Sequence, residues 1–207
     1  MLDVNDIHFS IEDKKIIDGI SARFEPRKIH GIIGPNGSGK STLLKNICRI
    51  WEPQSGSILI DGKDYTEIPR KELSTLVTLV PQNTTIGFPI SVFDIVSMGR
   101  NPHLGRFEGL GQKDRDIIER ALQQTNIYAL KDRNINELSG GEGQLAIIAR
   151  ALATEASLIL LDEPTSGLDV KHTLEIVKIL HDLKEQDKTV LVSIHDLNLA
   201  RKFCDTI

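Results

Sequence analysis

The sequence has only two cysteines, Cys48 and Cys204, among its 207 residues. Two thiols cannot form the disulfide framework of a small secreted domain, and we expect them to stay reduced in the cytosol. Residues 1–10 contain neither a basic region nor an apolar run, which argues against a secretory signal. Apolar runs are short throughout, so no segment is expected to cross a bilayer. Any role at a membrane is therefore expected to depend on a partner.

Aromatic residues are also scarce, at 4% of the chain, yet 40% of the residues are hydrophobic. A chain of this length and composition can bury a sizeable core, which argues against intrinsic disorder and favours one domain. The net charge of −4 provides no overall attraction to nucleic acid. We therefore expect no nucleic-acid partner.

Short apolar segments alternate with amphipathic ones along the chain. Strands are predicted at 16–24, 29–33, 57–60, 76–80, 158–161 and 189–194, and helices at 40–50 and 116–123. A further helix is predicted from residue 170, with one buried face made of Val170, Leu174, Val177, Leu180 and Leu183. The alternation predicts an α/β fold with a mainly parallel sheet that is interrupted by a helical insertion.

A phosphate-binding loop is predicted where the second of these strands meets a helix. The segment reads Gly34-Pro35-Asn36-Gly37-Ser38-Gly39-Lys40-Ser41 and matches the pattern G-x-x-x-x-G-K-[ST]. Its glycines let backbone N–H groups converge on phosphate oxygens, and the helix start adds positive charge. Lys40 is predicted to neutralise the β- and γ-phosphates, and the Ser41 hydroxyl to bind Mg²⁺. The alternative is a glycine-rich turn with a surface lysine.

Two acidic residues, Asp162 and Glu163, follow the apolar strand at 158–161. A carboxylate at the carboxyl end of a buried parallel strand lies at the ligand edge of the sheet. Asp162 is predicted to hold Mg²⁺ through water, because Mg²⁺ gives up its hydration shell reluctantly. Glu163 is predicted to orient the attacking water or to accept its proton. Solvated acids at a strand end are the alternative.

The segment 138–142 reads Leu-Ser-Gly-Gly-Glu and has two compatible interpretations. In the first, Ser139 caps a helix and Glu142 completes a capping box. In the second, the two glycines expose backbone N–H groups at a helix start, which makes a second phosphate-binding surface. One nucleotide rarely needs two such surfaces from one chain. We therefore expect this surface to serve an ATP molecule that another copy of the chain holds.

Together these motifs resemble the ATP-binding subunits of ABC transporters, over about residues 3–207. The resemblance rests on the order and spacing of 34–42, Gln82, 138–144, 158–163, 166–169 and His195. It implies a P-loop NTPase core with an N-terminal antiparallel β region and an inserted helical subdomain. It also implies ATP and Mg²⁺ as ligands, ATPase activity, and a dimer that sandwiches ATP.

The resemblance assigns roles to individual residues. Gln82 would approach Mg²⁺ and the attacking water, and His195 would contact the γ-phosphate. Asp169 would cross the dimer interface, and Phe9 would stack on adenine. From the residues alone, Gln82 belongs to a turn, His195 to a strand end and Phe9 to the core. Nucleotide contacts are expected from Gly34, Pro35, Asn36, Gly37, Ser38, Gly39, Lys40, Ser41, Thr42, Ser139, Gly140, Gly141 and Glu142.

The resemblance also predicts the domain organisation. One domain is expected over 1–207, with the α/β core at 1–85 and 157–207 and the helical subdomain at 86–156. Because related chains continue with further strands and a helix, we expect the C-terminal end of the usual domain to be missing. Two departures, Gly143 and Leu145, stand where the family usually has basic residues, and the glycine predicts a looser helix start.

Residues 90–105 resemble the subgroup that serves importers of iron–siderophore complexes, haem and cobalamin. The subgroup has a Val-x-x-x-Val helix followed by Gly-Arg-x-Pro-His, as here. We expect residues 92–106 to dock on a transmembrane permease at the cytoplasmic face of the plasma membrane, with a substrate-binding protein as an indirect partner. On that view, changing Met98 and Arg100 should spare the basal ATPase activity. A solvated connector is the alternative interpretation of the segment.

Three alternative functions compete with import of a metal chelate. A soluble ATPase of the same family would share every nucleotide motif, but the long insertions or tandem cassettes expected of it are absent from this short sequence. A transporter subunit for another substrate also stays open. A non-catalytic nucleotide-binding regulator is disfavoured, because both Lys40 and Glu163 are present.

Overall fold

The chain folds into two four-stranded sheets with helices packed against them. The structure is a computed structural model and describes residues 1–82 and 86–207. In chain order the strands are β1 (Leu2–Ile11), β2 (Lys14–Phe24), β3 (Ile29–Ile33), β4 (Ser55–Ile60), β5 (Lys63–Asp64), β6 (Val77–Val80), β7 (Leu158–Asp162) and β8 (Thr189–Ile194). The α-helices are α1 (Lys40–Ile47), α2 (Arg70–Leu76), α3 (Val92–Ser97), α4 (Gln112–Gln124), α5 (Gly140–Ala153), α6 (Val170–Glu185) and α7 (Leu197–Phe203).

The first sheet is antiparallel and has the strand order β2-β1-β4-β5. Apolar side chains of β1, among them those of Leu2, Val4 and Ile7, are buried against one face of this sheet. They share one hydrophobic core with Leu44 and Ile47 of α1. Helix α1 therefore lies against both this sheet and the second one, since the same core includes residues of β7 and β8.

The second sheet is parallel and has the order β3-β8-β7-β6. Every residue of β7 and β8 is buried, as expected for strands that are covered on both faces. The predicted fold class, a mainly parallel sheet with an N-terminal antiparallel region and inserted helices, is confirmed.

The parallel sheet brings the predicted site residues to one edge. Because its four strands run in the same direction, their carboxyl ends lie side by side. The glycine-rich segment 34–39 follows β3, and Gln82 follows β6 after one intervening residue. Glu163 directly follows β7, and His195 directly follows β8. Four sequence-distant segments thus meet at one place.

Helices α3, α4 and α5 form the insertion between the adjacent strands β6 and β7. Their apolar faces share one core, which includes Val96, Ile118 and Ile148. These helices fall inside the predicted helical subdomain at 86–156. Its predicted boundary at residue 85 lies outside the described residues, so the division into subdomains stays a prediction.

The predicted buried face of α6 is wrong in its first half. Val170 is 76% exposed and Leu174 is 62% exposed. The residues buried along α6 are instead Ile176, Ile179, Leu180 and Leu183. These four follow the three- and four-residue steps of a helix from residue 176 onward, so only the later turns of α6 pack into the core.

The segment after α3 holds Arg100 inside the fold, which contradicts the expectation that Arg100 contributes to docking on the permease. Arg100 is only 4% exposed and donates to Asp114 Oδ1 at 2.9 Å, Ala153 O at 2.8 Å and Glu155 Oε2 at 3.0 Å. It therefore connects the segment after α3 to the start of α4 and to the end of α5. Within this segment, Met98 is 39% exposed and stays available to a partner.

Replacing Arg100 by alanine is expected to destabilise the protein by about 3 kcal/mol, because the partner carboxylates of this ion pair lose their buried counterion. Urea denaturation followed by circular dichroism measures the loss. Met98→Ala is the matched control from the same segment, and it should stay within about 0.5 kcal/mol of the wild type. Equal midpoints for Arg100→Ala and the wild type would show that the ion pairs contribute nothing.

Among the helices of residues 1–82 and 86–207, none combines the length and the apolar character that crossing a membrane requires.

Candidate functional site

The glycine-rich segment forms a tight loop that ends at the start of α1. Gly39 precedes the helix with φ +94°, in the left-handed region that favours glycine. A Cβ atom at Gly39 would also lie 2.9 Å from the carbonyl oxygen of Ile16. The loop is pinned at its other end by a hydrogen bond from Ser38 N to Pro35 O of 3.2 Å. Its geometry therefore depends on a glycine at position 39.

Lys40 turns back over this loop from the first turn of α1. Its Nζ donates to Gly34 O at 2.9 Å and to Pro35 O at 3.1 Å. The same atom lies 3.6 Å from Glu163 Oε1, and both side chains are less than 10% exposed, at 6% and 9%. The loop is thus wrapped around a buried positive charge, which suits a phosphate group.

Glu163 is held in an unusual backbone conformation at the end of β7. Its φ is 48°, which is rare for a residue with a side chain and is typical of functional sites. Its N–H donates to Ser193 Oγ at 2.9 Å, and that hydroxyl donates to Asp162 Oδ1 at 2.8 Å. Ser193 is completely buried in β8. One hydroxyl thus fixes both acidic residues.

Sequence reasoning missed Ser193. The signal was a serine at the fifth position of the mainly apolar segment Thr189–Ile194. A buried polar group needs a partner, and at this register its neighbour on β7 is Asp162. Pairing the two strands on paper would have found it.

Gln82 and His195 both contact the carboxylate of Glu163. Gln82 Nε2 donates to Glu163 Oε2 at 2.7 Å, and His195 Nε2 is in close contact with Glu163 Oε1. The structure therefore brings Lys40, Gln82, Glu163 and His195 together at the sheet edge, and their catalytic roles stay predictions.

The charges and donor atoms of the site suit a divalent cation. Asp162 and Glu163 are both buried, and Lys40 is the buried cation beside them. The predicted ligands, the Asp162 carboxylate, the Ser41 hydroxyl and the Gln82 amide oxygen, are the hard oxygen donors that Mg²⁺ prefers. Across residues 1–82 and 86–207, no group of three or more His, Cys, Asp or Glu residues could hold a metal ion. In proteins Mg²⁺ relies largely on water and substrate phosphates for its other ligands, and it would neutralise phosphate charge there.

The start of α5 has the predicted capping box. Ser139 Oγ accepts from Glu142 N at 3.3 Å, while Glu142 Oε2 accepts from Ser139 N at 2.8 Å and from Ser139 Oγ at 2.8 Å. The N–H and the hydroxyl of Ser139 lower the pKa of the Glu142 carboxyl. The cap therefore stabilises the helix above the ordinary glutamate pKa, and this contribution is lost as the pH falls through the lowered value. Ser139 and Gly140 themselves are exposed.

The two departures in α5 are accommodated within a regular helix. α5 runs without interruption through Gly143 to Ala153. Leu145 is only 3% exposed and packs in the hydrophobic core of the helical insertion. An apolar side chain at this position therefore contributes to packing.

A cleft of about 380 Å³ separates the start of α5 from the sheet edge. Ser139 and Gly140 line one side, and Gln82, Glu163 and Ser166 line another. None of the described residues that line it belongs to the glycine-rich loop at 34–39. The exposed helix start and Glu163 at the sheet edge therefore line the same cleft.

The remaining predicted site residues lie apart from Glu163. Asp169 caps α6, accepting from His172 N at 2.8 Å and from His172 Nδ1 at 2.9 Å, and its side chain is 64% exposed. Phe9 is 8% exposed and stacks on Trp51, with ring centroids 5.5 Å apart. For Phe9, the structure thus favours the core interpretation over contact with adenine.

Comparison with known proteins agrees with this geometry. The model of a family described as ABC transporter matches residues 17–166. A cobalamin import ATP-binding protein from Halobacterium salinarum is 36% identical over 207 residues, 100% of this chain and 52% of that protein. The chain thus spans about half the length of that relative.

Further relatives are covered over more of their length. A probable siderophore transport system ATP-binding protein from Bacillus subtilis is 38% identical over 192 residues, covering 92% of this chain and 70% of that protein. A manganese transport system ATP-binding protein from Synechocystis is 40% identical over 183 residues, covering 87% and 69%. Among solved structures, a chain from a transporter assigned to the metal-chelate type, in an inward-facing conformation, has a TM-score of 0.86 and 33% identity, covering 99% of this chain and 78% of that one.

Proposed function

The chain belongs to the ABC transporter family, and we propose that it is the ATP-hydrolysing subunit that drives an importer of a metal chelate. The chelate class comprises iron–siderophore complexes, haem, cobalamin and related compounds. ATPase activity follows from the family. The observation that carries the mechanism is the contact of Glu163 with Lys40, Gln82 and His195 at one sheet edge.

In the proposed reaction, water attacks the γ-phosphate in line and ADP leaves. Glu163 accepts the proton of that water, because its carboxylate is the acceptor at the centre of the site. Lys40 is already directed at the loop that would cradle the phosphates, and Ser41, Asp162 and Gln82 would hold Mg²⁺. Electrostatic stabilisation by fixed donors supplies most of the catalysis in phosphoryl transfer. His195 would hold the γ-phosphate from the end of β8.

Lys40→Ala is expected to weaken ATP binding by about 10- to 100-fold, because hydrogen bonds to charged groups contribute about 1.5–3 kcal/mol. Equilibrium titration with a fluorescent ATP analogue measures the dissociation constant. Lys45→Ala is the matched control, since Lys45 lies on the same helix with its Nζ over the Trp51 ring at 4.4 Å. An unchanged dissociation constant for Lys40→Ala would contradict the assignment of the P-loop.

The exposed start of α5 supports a dimer that sandwiches two ATP molecules. Ser139, Gly140 and Gly141 would face the nucleotide held by the P-loop of a second copy. One nucleotide rarely needs two phosphate-binding surfaces from one chain, which favours that arrangement over a contact within one chain. Closing and reopening of the dimer would then move a transmembrane permease.

The proposed permease would hold the protein at the cytoplasmic face of the plasma membrane. Exposed apolar side chains that follow Gln82 in the chain suit such a dock: Phe88 is 57% exposed, Met98 39% and Phe107 97%. With Arg100 buried, the proposed contact depends on these apolar residues instead. A substrate-binding protein outside the membrane would deliver the chelate, as an indirect partner.

The proposed substrate class rests on similarity over nearly the whole chain. The cobalamin relative aligns with 100% of this chain, the siderophore relative with 92% and the metal-chelate transporter structure with 99%. The manganese relative aligns with 87% of this chain and supports a second candidate function, import of a bare metal ion.

Stimulation of ATP hydrolysis in proteoliposomes distinguishes these candidates. The protein is co-purified with its permease and reconstituted, and the ATPase rate is measured with a ferric hydroxamate, haem, cobalamin or MnCl₂, each beside its binding protein. We expect one chelate to stimulate hydrolysis and MnCl₂ to leave it at the basal rate. Stimulation by MnCl₂ alone would overturn the chelate proposal. Hydrolysis that no compound and no permease alters would favour the soluble ATPase.

A further inference from the structure

His172 on α6 occupies the space beside Gly141 on α5. A Cβ atom at Gly141 would lie 2.4 Å from Cγ and 2.5 Å from Cδ2 and Nδ1 of the His172 ring. Distances under 3.0 Å essentially never occur for real Cβ atoms, so the ring and a side chain at 141 exclude each other. The neighbouring glycine differs, since no atom of residues 1–82 and 86–207 lies within 4 Å of the position a Cβ would take at Gly140.

The His172 ring is held in this position by Asp169. Its Nδ1 lies 2.9 Å from Asp169 Oδ1, and the same oxygen accepts the His172 backbone N–H at 2.8 Å. A carboxylate only accepts, so Nδ1 carries the proton and donates it to this bond. The His172 side chain is 16% exposed, whereas that of Asp169 is 64% exposed. The ring is therefore wedged between an exposed acidic residue and a buried glycine.

We infer that His172 is a positioning residue that sets the placement of the 139–141 helix start relative to Asp169. The inference rests on the proposed function, in which both of these elements meet the second copy across the ATP sandwich. Each belongs to a different part of the fold, since α5 ends the helical insertion and α6 connects β7 and β8 of the parallel sheet. The His172 ring lies beside Gly141 and contacts Asp169, so it links the two in one copy.

This inference separates the reasons for the two adjacent glycines. Position 141 needs a glycine because His172 occupies the place of a side chain within the same chain. Position 140 is open toward the part of the chain that the structure describes, so we attribute a restriction there to nucleotide or to the second copy. Removing the ring should therefore make a side chain tolerable at 141 and should change nothing at 140.

A set of variants in the Glu163→Gln background tests the contact, with ATP-dependent dimerisation measured by analytical ultracentrifugation. Gly141→Ala is expected to raise the dimer dissociation constant about tenfold or more, as overpacking does. The double variant Gly141→Ala/His172→Ala should recover to within about threefold of His172→Ala alone, because the clash is gone. Gly140→Ala is the matched control, and His172→Ala should not rescue it.

Single variants of His172 separate positioning from general stability. His172→Ala is expected to raise the dimer dissociation constant about tenfold, while the ATP dissociation constant of the monomer stays within about twofold, since the P-loop is untouched. His172→Asn should recover part of the loss, because its side-chain N–H can take the place of Nδ1 toward Asp169. Thermal unfolding without nucleotide checks that each variant is folded.

The outcomes distinguish this inference from the proposed function. If Glu163→Gln alone fails to dimerise with ATP, the sandwich is wrong and the positioning role falls with it. If Glu163→Gln dimerises and His172→Ala does not weaken the dimer, only the inference about His172 is overturned. It is equally overturned if His172→Ala fails to rescue Gly141→Ala in a folded double variant.

Discussion

The Glu163→Gln variant is expected to bind ATP and to hydrolyse it about 10²- to 10⁴-fold more slowly than the wild type, the usual cost of removing a general base. The amide has the shape of the carboxylate, and its oxygen can still accept from Gln82 Nε2. It cannot accept a proton from water at neutral pH. The bound ATP should therefore persist and hold two copies together as a dimer.

Single-turnover hydrolysis and size-exclusion chromatography with and without ATP measure the two effects of this substitution. Glu185→Gln is the matched control, because Glu185 is an exposed residue at the end of α6 and undergoes the same change of charge. That variant should hydrolyse ATP at the wild-type rate. Wild-type turnover in Glu163→Gln would exclude Glu163 as the proton acceptor.

The Ser139→Arg variant is expected to bind ATP as a monomer but to lose both dimerisation and hydrolysis. Ser139 is exposed at the start of α5, where a long side chain would fill the space proposed for the phosphates of the second copy. Its loss also removes the helix cap, which costs about 1 kcal/mol. The P-loop, in contrast, is unchanged by the substitution.

Ser139→Ala separates the lost cap from the added bulk. It removes the same hydroxyl but leaves the space open, so we expect it to keep most of the hydrolysis that Ser139→Arg loses. Equilibrium ATP titration, ultracentrifugation with ATP and steady-state hydrolysis are measured on both variants. If Ser139→Arg dimerised and hydrolysed ATP normally, residues 138–142 would act as a helix cap alone.

The strands of the parallel sheet that were predictable are those with short, continuous apolar segments. The apolar segments that became β3, β7 and β8 are covered on both faces, and a buried parallel strand needs no alternation. Helices α2 and α7 were not predicted, since each has only seven residues and buries few of them. On α6, the apolar side chains are compatible with more than one buried face, and packing against the core determines which face is buried.

The site was predictable where its chemistry is local in sequence and not where it depends on distant contacts. The P-loop and the acidic pair carry their meaning in consecutive residues. Ser193 acts on residues 30 and 31 positions away, and His172 meets a glycine on another helix. Arg100 was assigned to the docking segment because none of its three hydrogen-bond partners is adjacent to it in the sequence.

The order of strands in the parallel sheet has a consequence for synthesis of the chain. β3, which carries the P-loop, pairs with β8, and Ile29 lies opposite Val190. At ribosomal rates of about 5–20 residues per second, roughly 10–30 s pass between the synthesis of β3 and the synthesis of β8. During this interval its edge is unpaired, and unpaired strand edges promote aggregation. A nascent chain that stalls before β8 would lack Ser193, which holds both Asp162 and Glu163, so the site at the sheet edge would be incomplete.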